Sequence, residues 1–217
     1  MLYLATASGR AVRDAMAASQ LGQMLTYKSG NLPMKRSDGT AVPFAIDNGC
    51  VSIVDGRPVN DPNWSETRWL RMLDRYQDTP GCLFAVVPDW VCDAERTNER
   101  WTRYAPLVHA RGYRAAYVTQ NGCTAIPPDA DAVFVGGDDD WKDGLTALAL
   151  TNSARARGLW CHLGRANTWT RIHRSHLDGY DSVDGTTLAF GPDQNLPQLL
   201  RWLHRINTQP ALFGGAA

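Results

Sequence analysis

Apolar residues along this chain come in short, unbroken bursts rather than in strict alternation with polar ones. Seven bursts stand out: LYLAT (2–6), PFAID (43–47), CLFAVVPD (82–89), RAAYVTQ (114–120), AVFVGG (132–137), LWCHLG (159–164) and YDSVD (180–184). Runs of this length and composition read as strands covered on both faces. A weaker eighth strand is expected near QMLTYKS (23–29).

Between most of these runs the spacing changes to the helical period. In DAERTNERWTRYAPLVHARG (93–112), Asp93 stands where an N-cap belongs, acids crowd the start and Gly112 closes the segment. DWKDGLTALALTNSARARG (140–158) and NTWTRIHRSHLDG (167–179) follow the same plan, and NLPQLLRWLHRIN (195–207) makes a last amphipathic helix. Strands and helices alternating in one register predict a parallel α/β fold. Eight strands predict a compact (β/α)8 TIM-like barrel, with a doubly wound sheet as the second choice. No shift in composition divides the chain, so a single domain is expected over 1–209 with a flexible tail at 210–217.

Composition changes this picture little. Apolar residues at 44% and charged residues at 20% are those of a globular protein. The formal net charge is zero, so no global field advertises nucleic acid, although a local basic groove is compatible with a neutral total. Lysine occurs only as Lys28, Lys35 and Lys142; the other basic residues are arginines, which suit phosphate and planar groups and equally reflect a GC-rich genome. The five cysteines are odd in number and scattered, without C-x-x-C pairs or zinc spacing, so a reducing, cytoplasmic setting and no metal are expected. The N-terminus lacks the pattern of a signal peptide, and no run reaches membrane-spanning length.

The polar punctuation carries more. Asp47, Asp89, Gln120, the Gly136–Gly137 pair and Asp184 all fall at the C-terminal ends of expected strands. In a (β/α)8 barrel those ends converge on the one face where sites are built. Any one of these residues also reads as a turn or cap residue. Five such tips together point to an enzyme site.

Taken in order, the tips resemble those of the tRNA-guanine transglycosylase family. AIDNGCVS is similar to that family's D-S-G-G-F-Q segment, VVPDWVCDAERT to D-E-C-x-P, VTQNG to V-Q-G-G, and FVGGDDDW to G-G-L-A-V-G-E. HLGRANTWTRIHRSHLDGYDSVDG resembles M-G-V-G-x-P-x-x-L followed by G-x-D-x-F-D-C. The resemblance spans roughly residues 40 to 190. It implies Asp184 as nucleophile with Asp181 as its structural neighbour, Asp47 as general acid/base, Asp89 and Gln120 as readers of a guanine edge, and Gly136 and Gly137 as a close backbone approach to the base.

The family's C-x-C-x-x-C…H zinc module is missing after Asp184, where TTLAFGPDQNLPQLLRWLHRINTQ follows with His204 and no cysteine. The compact DpdA-like DNA deazaguanine transglycosylases, found in bacterial modification islands and phages, fit better. That resemblance implies exchange of guanine in DNA for a free 7-deazaguanine such as 7-cyano-7-deazaguanine, through a covalent aspartyl-deoxyribose intermediate and without a cofactor. A homodimer is compatible with the sequence. Other readings are an N-glycosidase, a tRNA-type transglycosylase and an inactive nucleic-acid-binding barrel.

The chemistry asks for these residue types. A carboxylate traps the sugar carbon and divides one displacement into two, while a second carboxyl of different ionisation moves the proton. Guanine offers N1–H and a 2-amino group to a carboxylate and O6 to an amide donor. Arg165 and Arg171 are candidates for flanking phosphates, and Trp90, Trp141 and Trp169 for base stacking, each with a plain packing or solvation reading beside it. His162, His173 and His176 suggest a metal cluster only superficially, since His173 and His176 lie on a helix outside the barrel.

Overall fold

In the computed structural model, which describes residues 1–6, 9–18 and 20–208, the chain runs β1 (Leu2–Ala5), α1 (Arg10–Ala17), β2 (Gly22–Leu25), β3 (Phe44–Ile46), β4 (Val51–Val54), β5 (Arg57–Asn60), α2 (Glu66–Tyr76) and β6 (Cys82–Val86). It continues with α3 (Ala94–His109), β7 (Ala115–Thr119), β8 (Ala132–Val135), α4 (Asp139–Lys142), α5 (Leu145–Ala156), β9 (Trp160–Leu163), α6 (Trp169–Leu177), β10 (Ser182–Gly185) and α7 (Pro192–Thr208). Eight strands close into a parallel barrel in the order β1-β10-β9-β8-β7-β6-β3-β2. The protein is an α/β barrel of the TIM type. The tail placed at 210–217 lies outside the described residues.

All eight expected strands take part. Their inward positions alternate along each strand: Leu4 on β1, Met24 on β2, Phe84 and Val86 on β6, Ala116 and Val118 on β7, and Ala132 and Phe134 on β8 fill the interior. The outward positions of β3, β6 and β7 pack on α2 and α3 through Phe44, Trp69, Trp101 and Tyr117. Those of β1, β8, β9 and β10 pack on α1, α5, α6 and α7 through Tyr3, Val133, Cys161, Val183 and Leu199. Strands covered on both faces by apolar layers explain why the sequence shows bursts instead of alternation.

The helix over 93–112 begins as expected, with the Asp93 carboxylate accepting the Arg96 N–H at 3.0 Å. The single helix expected over 140–158 is instead two, because Gly144 takes an extended conformation and caps a fresh start at Leu145. Two departures from strict β/α alternation were not foreseen. The β2–β3 and β7–β8 connections carry no helix. Between β3 and α2 an antiparallel hairpin, β4–β5, is inserted. Its turn residues Asp55 and Gly56 have φ of 48° and 75°, the two positive angles that a tight two-residue hairpin turn requires.

Candidate functional site

The strand tips meet in a cleft of about 200 Å³ at the C-terminal mouth of the barrel. Asp47, Asp89, Gln120, Gly136, Gly137, Arg165 and Asp184 all line it. Val86, Val118 and Phe134 form its floor from inside the barrel, and Val51, Ile53 and Pro58 reach it from the hairpin. A small cleft with an apolar floor and polar groups around it suits a small heterocycle.

Asp89 follows β6 and is 2% exposed. One carboxylate oxygen accepts from Asn48 Nδ2 at 2.8 Å and the other from Gln120 Nε2 at 2.5 Å. Asn48 is itself fixed, donating to the Val87 carbonyl at 2.9 Å and accepting the Cys50 N–H at 2.8 Å. Gln120 Oε1 accepts the Cys92 N–H at 2.8 Å. Behind them the Arg100 guanidinium donates to the Asp89 carbonyl at 2.5 Å and lies over the Trp64 and Trp90 rings. Burial pushes the Asp89 carboxyl above its usual range, and the Asn48 and Gln120 amides oppose that rise.

Asp47 ends β3. Its carboxylate accepts the Gly49 N–H at 2.6 Å in a local turn, and the residue lines the cleft. The carboxyl is pushed up to about 6, first by burial in the barrel mouth and then by the fields of Asp184 and Asp89, against the pull of the Gly49 N–H. Asp47 nevertheless lines the cleft with Asp89 and Asp184.

Asp184, near the end of β10, is 7% exposed. The Arg165 N–H donates to Oδ1 at 2.7 Å, and His162 Nε2 stands 3.3 Å from Oδ2. Arg165 holds a positive φ of 63°, which turns its backbone toward the carboxylate. Asp181 lies three residues back, just before the strand. Its carboxylate accepts the Cys161 N–H at 2.8 Å, so it ties β10 to β9 and takes no part in the cleft. The two acids of GYDSVDGT therefore divide into a structural and a site residue.

The glycine pair does not act as one unit. A Cβ at Gly136 meets Gln120 Nε2 at 2.9 Å and Val118 at 2.8 Å, so this glycine gives the amide its room. A Cβ at Gly137, whose φ is +78°, meets the Trp141 ring at 2.5 Å and Asn121 Oδ1 at 2.8 Å. Gly137 is demanded by its protein neighbours before any ligand is considered.

Other candidates are placed elsewhere. Arg171 is outside the cleft, paired with Asp139 at 3.0 Å and Asp143 at 2.7 Å. Trp90 lies against arginines, Trp141 packs on Gly137, and Trp169 stacks on His173 at 4.8 Å. None of the three lines the cleft. Among the described residues no group of three or more His, Cys, Asp or Glu is arranged to hold a metal ion. No helix among them is long and apolar enough to cross a membrane.

Sequence reasoning missed Asn48, Arg100, Lys142 and the role of His162. Lys142 lines the cleft beside Gly137, with its ammonium buried and 2.9 Å from Asp139; burial lowers its proton affinity. Strand parity holds the signal for His162, which sits in phase with Gly164 at the tip of LWCHLG. Asn48 adjoins Asp47 at a tip and was hidden by it. Comparison with known proteins finds no family model that matches the chain and no significant match among curated proteins.

Proposed function

We propose that this protein is a base-exchange transglycosylase that replaces guanine in DNA with a free 7-deazaguanine. The observation that carries the reading is an order of groups around the cleft. Going round the barrel from β10 through β9, β8, β7 and β6 to β3, the cleft presents Asp184, Arg165, Lys142 with the glycines, Gln120, Asp89 and Asp47. Going round a guanine from its glycosidic bond, the edges are N9, C8, N7 (C7 in a 7-deazaguanine), O6, N1 with the 2-amino group, and N3. Laid across the mouth, the base sets its sugar at Asp184, O6 at Gln120, its donor edge at Asp89 and N3 at Asp47.

Each group then meets chemistry it suits. Asp89, held by two amides, accepts from N1–H and the 2-amino group. Gln120 Nε2 has a second hydrogen for O6 after serving Asp89. Adenine reverses both demands and leaves buried groups unpaired. The C7 side faces Lys142 and Arg165, cations that suit a substituent carrying acceptor atoms and repel an ammonium.

The reaction divides into two displacements. An Asp184 oxygen forms a bond to C1′ as the C1′–N9 bond breaks, and the bonding pair leaves on the base, which takes a proton from Asp47. The free guanine is exchanged for a 7-deazaguanine with the same edge. Asp47 then removes its N9 proton, N9 attacks C1′, and the ester pair returns to Asp184. A carboxyl pushed up to about 6 suits a group that must give and retake a proton near neutrality. The target base must be unstacked or single-stranded to enter the cleft.

Incubation with single-stranded and duplex DNA plus labelled 7-cyano-7-deazaguanine tests the proposal. Label entering DNA, with guanine released in equal amount, is the expected result. Abasic sites without incorporation instead favour hydrolysis, in which water resolves the same intermediate.

A further inference from the structure

Below the cleft, the described residues that fill the interior of the barrel are apolar except along one seam. Where β9 and β10 pair, His162 and Ser182 stand side by side in register, with Trp160 below and Asp184 above. His162 and Ser182 are 0% exposed. Phe134 and Phe84 hold the imidazole between them, with ring centroids 4.6 and 5.5 Å away. The contacts run in one line: Trp160 Nε1 to Ser182 Oγ at 2.8 Å, Ser182 Oγ to His162 Nδ1 at 2.8 Å, and His162 Nε2 to Asp184 Oδ2 at 3.3 Å.

Donor counting gives this line a direction. The indole Nε1 only donates, and an ionised carboxylate only accepts. Asp184 therefore asks for a hydrogen on His162 Nε2. In the neutral ring Nδ1 is then an acceptor, and the Ser182 hydroxyl has one hydrogen to give it. Ser182 in turn accepts the Trp160 N–H. Each hydrogen points toward Asp184, and no group in the line is left without a partner. Apolar side chains at 162 and 182 fill the same space without removing polar groups from water. What the polar seam adds lies at its upper end.

We infer that His162 is the positioning residue of Asp184, locked in its Nε2–H tautomer by Ser182 and Trp160. With the Arg165 N–H on Oδ1, the His162 N–H fixes the plane of the carboxylate. The catalytic consequence rests on the transglycosylase reading. When the C1′ ester breaks, the electron pair returns to the carboxylate, and a donor already in place receives it. His162 thus serves resolution of the intermediate more than its formation.

The test pairs a readout that needs no activity with one that does. Imidazole nitrogen shifts in the wild-type protein are expected to report the Nε2–H tautomer, and Ser182→Ala is expected to disturb it. A stable Nδ1–H tautomer overturns the inference. In His162→Phe, turnover should fall by about tenfold to a hundredfold, the loss of one hydrogen bond to a charged group. The covalent adduct should then build up. His162→Gln, whose amide N–H reaches the same side of Asp184, should recover part of the rate. A folded His162→Phe protein with wild-type turnover and adduct level sinks the inference and leaves the functional reading intact. If His162→Phe does not fold, Ser182→Ala carries the kinetic test, with a smaller loss in the same direction expected and no change overturning the inference. If wild-type protein forms no adduct at all, the functional reading falls, and the tautomer alone decides whether the relay exists.

Discussion

Gln120 Nε2 donates to Asp89 Oδ2 at 2.5 Å, across the tips of neighbouring strands β7 and β6. A residue expected only to read a base thus also holds the carboxylate that reads the opposite edge. With Asn48 on the second oxygen, Asp89 is oriented before any ligand arrives. Gln120→Leu should therefore weaken binding of a free 7-deazaguanine by more than the loss of one contact. A drop on the order of tenfold to a hundredfold in affinity by calorimetry is expected, because a buried carboxylate loses a donor as well. An unchanged affinity removes Gln120 from the base site.

Asp47 gives a pH-dependent stability with a definite sign. Its carboxyl is pushed from an ordinary 3.8 up to about 6 in the folded protein. The folded state therefore holds the proton more tightly than the unfolded state, and stability falls as pH rises from about 4 to about 6 and stays lower above that. Asp47→Asn removes the penalty. At pH 7 the variant should be more stable by about 1–2 kcal/mol, less than the full shift implies because part of the carboxyl edge meets solvent in the cleft. Thermal melts across pH 4 to 8 check this, with the gain over wild type absent at the acid end.

Gly137 and Gly56, both at positive φ, should respond differently to substitution. Gly137→Ala combines a positive φ with a contact of 2.5 Å to the Trp141 ring, and should cost about 2–4 kcal/mol by denaturant unfolding. Gly56→Ala, in the hairpin turn with a similar φ and nothing within 4 Å, should cost only about 1 kcal/mol. Equal costs contradict the packing account of Gly137.

The hairpin supplies an apolar edge to the cleft through Val51, Ile53 and Pro58, yet Ile53 is 49% exposed. Ile53→Ser should leave global stability within about 0.5 kcal/mol of wild type. It should weaken base binding by roughly fivefold, the share of one partly covered side chain. Loss of stability with unchanged affinity assigns the hairpin to the fold instead of the ligand.

Much of this was legible because strands buried on both faces leave long apolar bursts, and a barrel forces whatever ends them onto one face. Asp47, Asp89, Gln120 and Asp184 were found by that rule and do share a cleft. Arg171 was read as available because its partners Asp139 and Asp143 sit about thirty residues away on other elements. Side-chain pairing across helices leaves no periodic trace. The β4–β5 hairpin was not expected, although Asp-Gly between the apolar residues of VSIVDGRPVN is itself a turn signal. His162 was weighed as a metal ligand. Its work lies within the barrel, on a carboxylate twenty-two residues away in sequence that only strand pairing brings near.

The central claim is that Asp184 forms a bond to a deoxyribose carbon. Denaturing the protein during turnover on single-stranded DNA, followed by digestion and mass spectrometry of the linked peptide, tests it directly. The account predicts a DNA-linked peptide with the bond at Asp184, absent in Asp184→Asn. Base exchange that proceeds in Asp184→Asn, or a linkage mapped to any other residue, contradicts it.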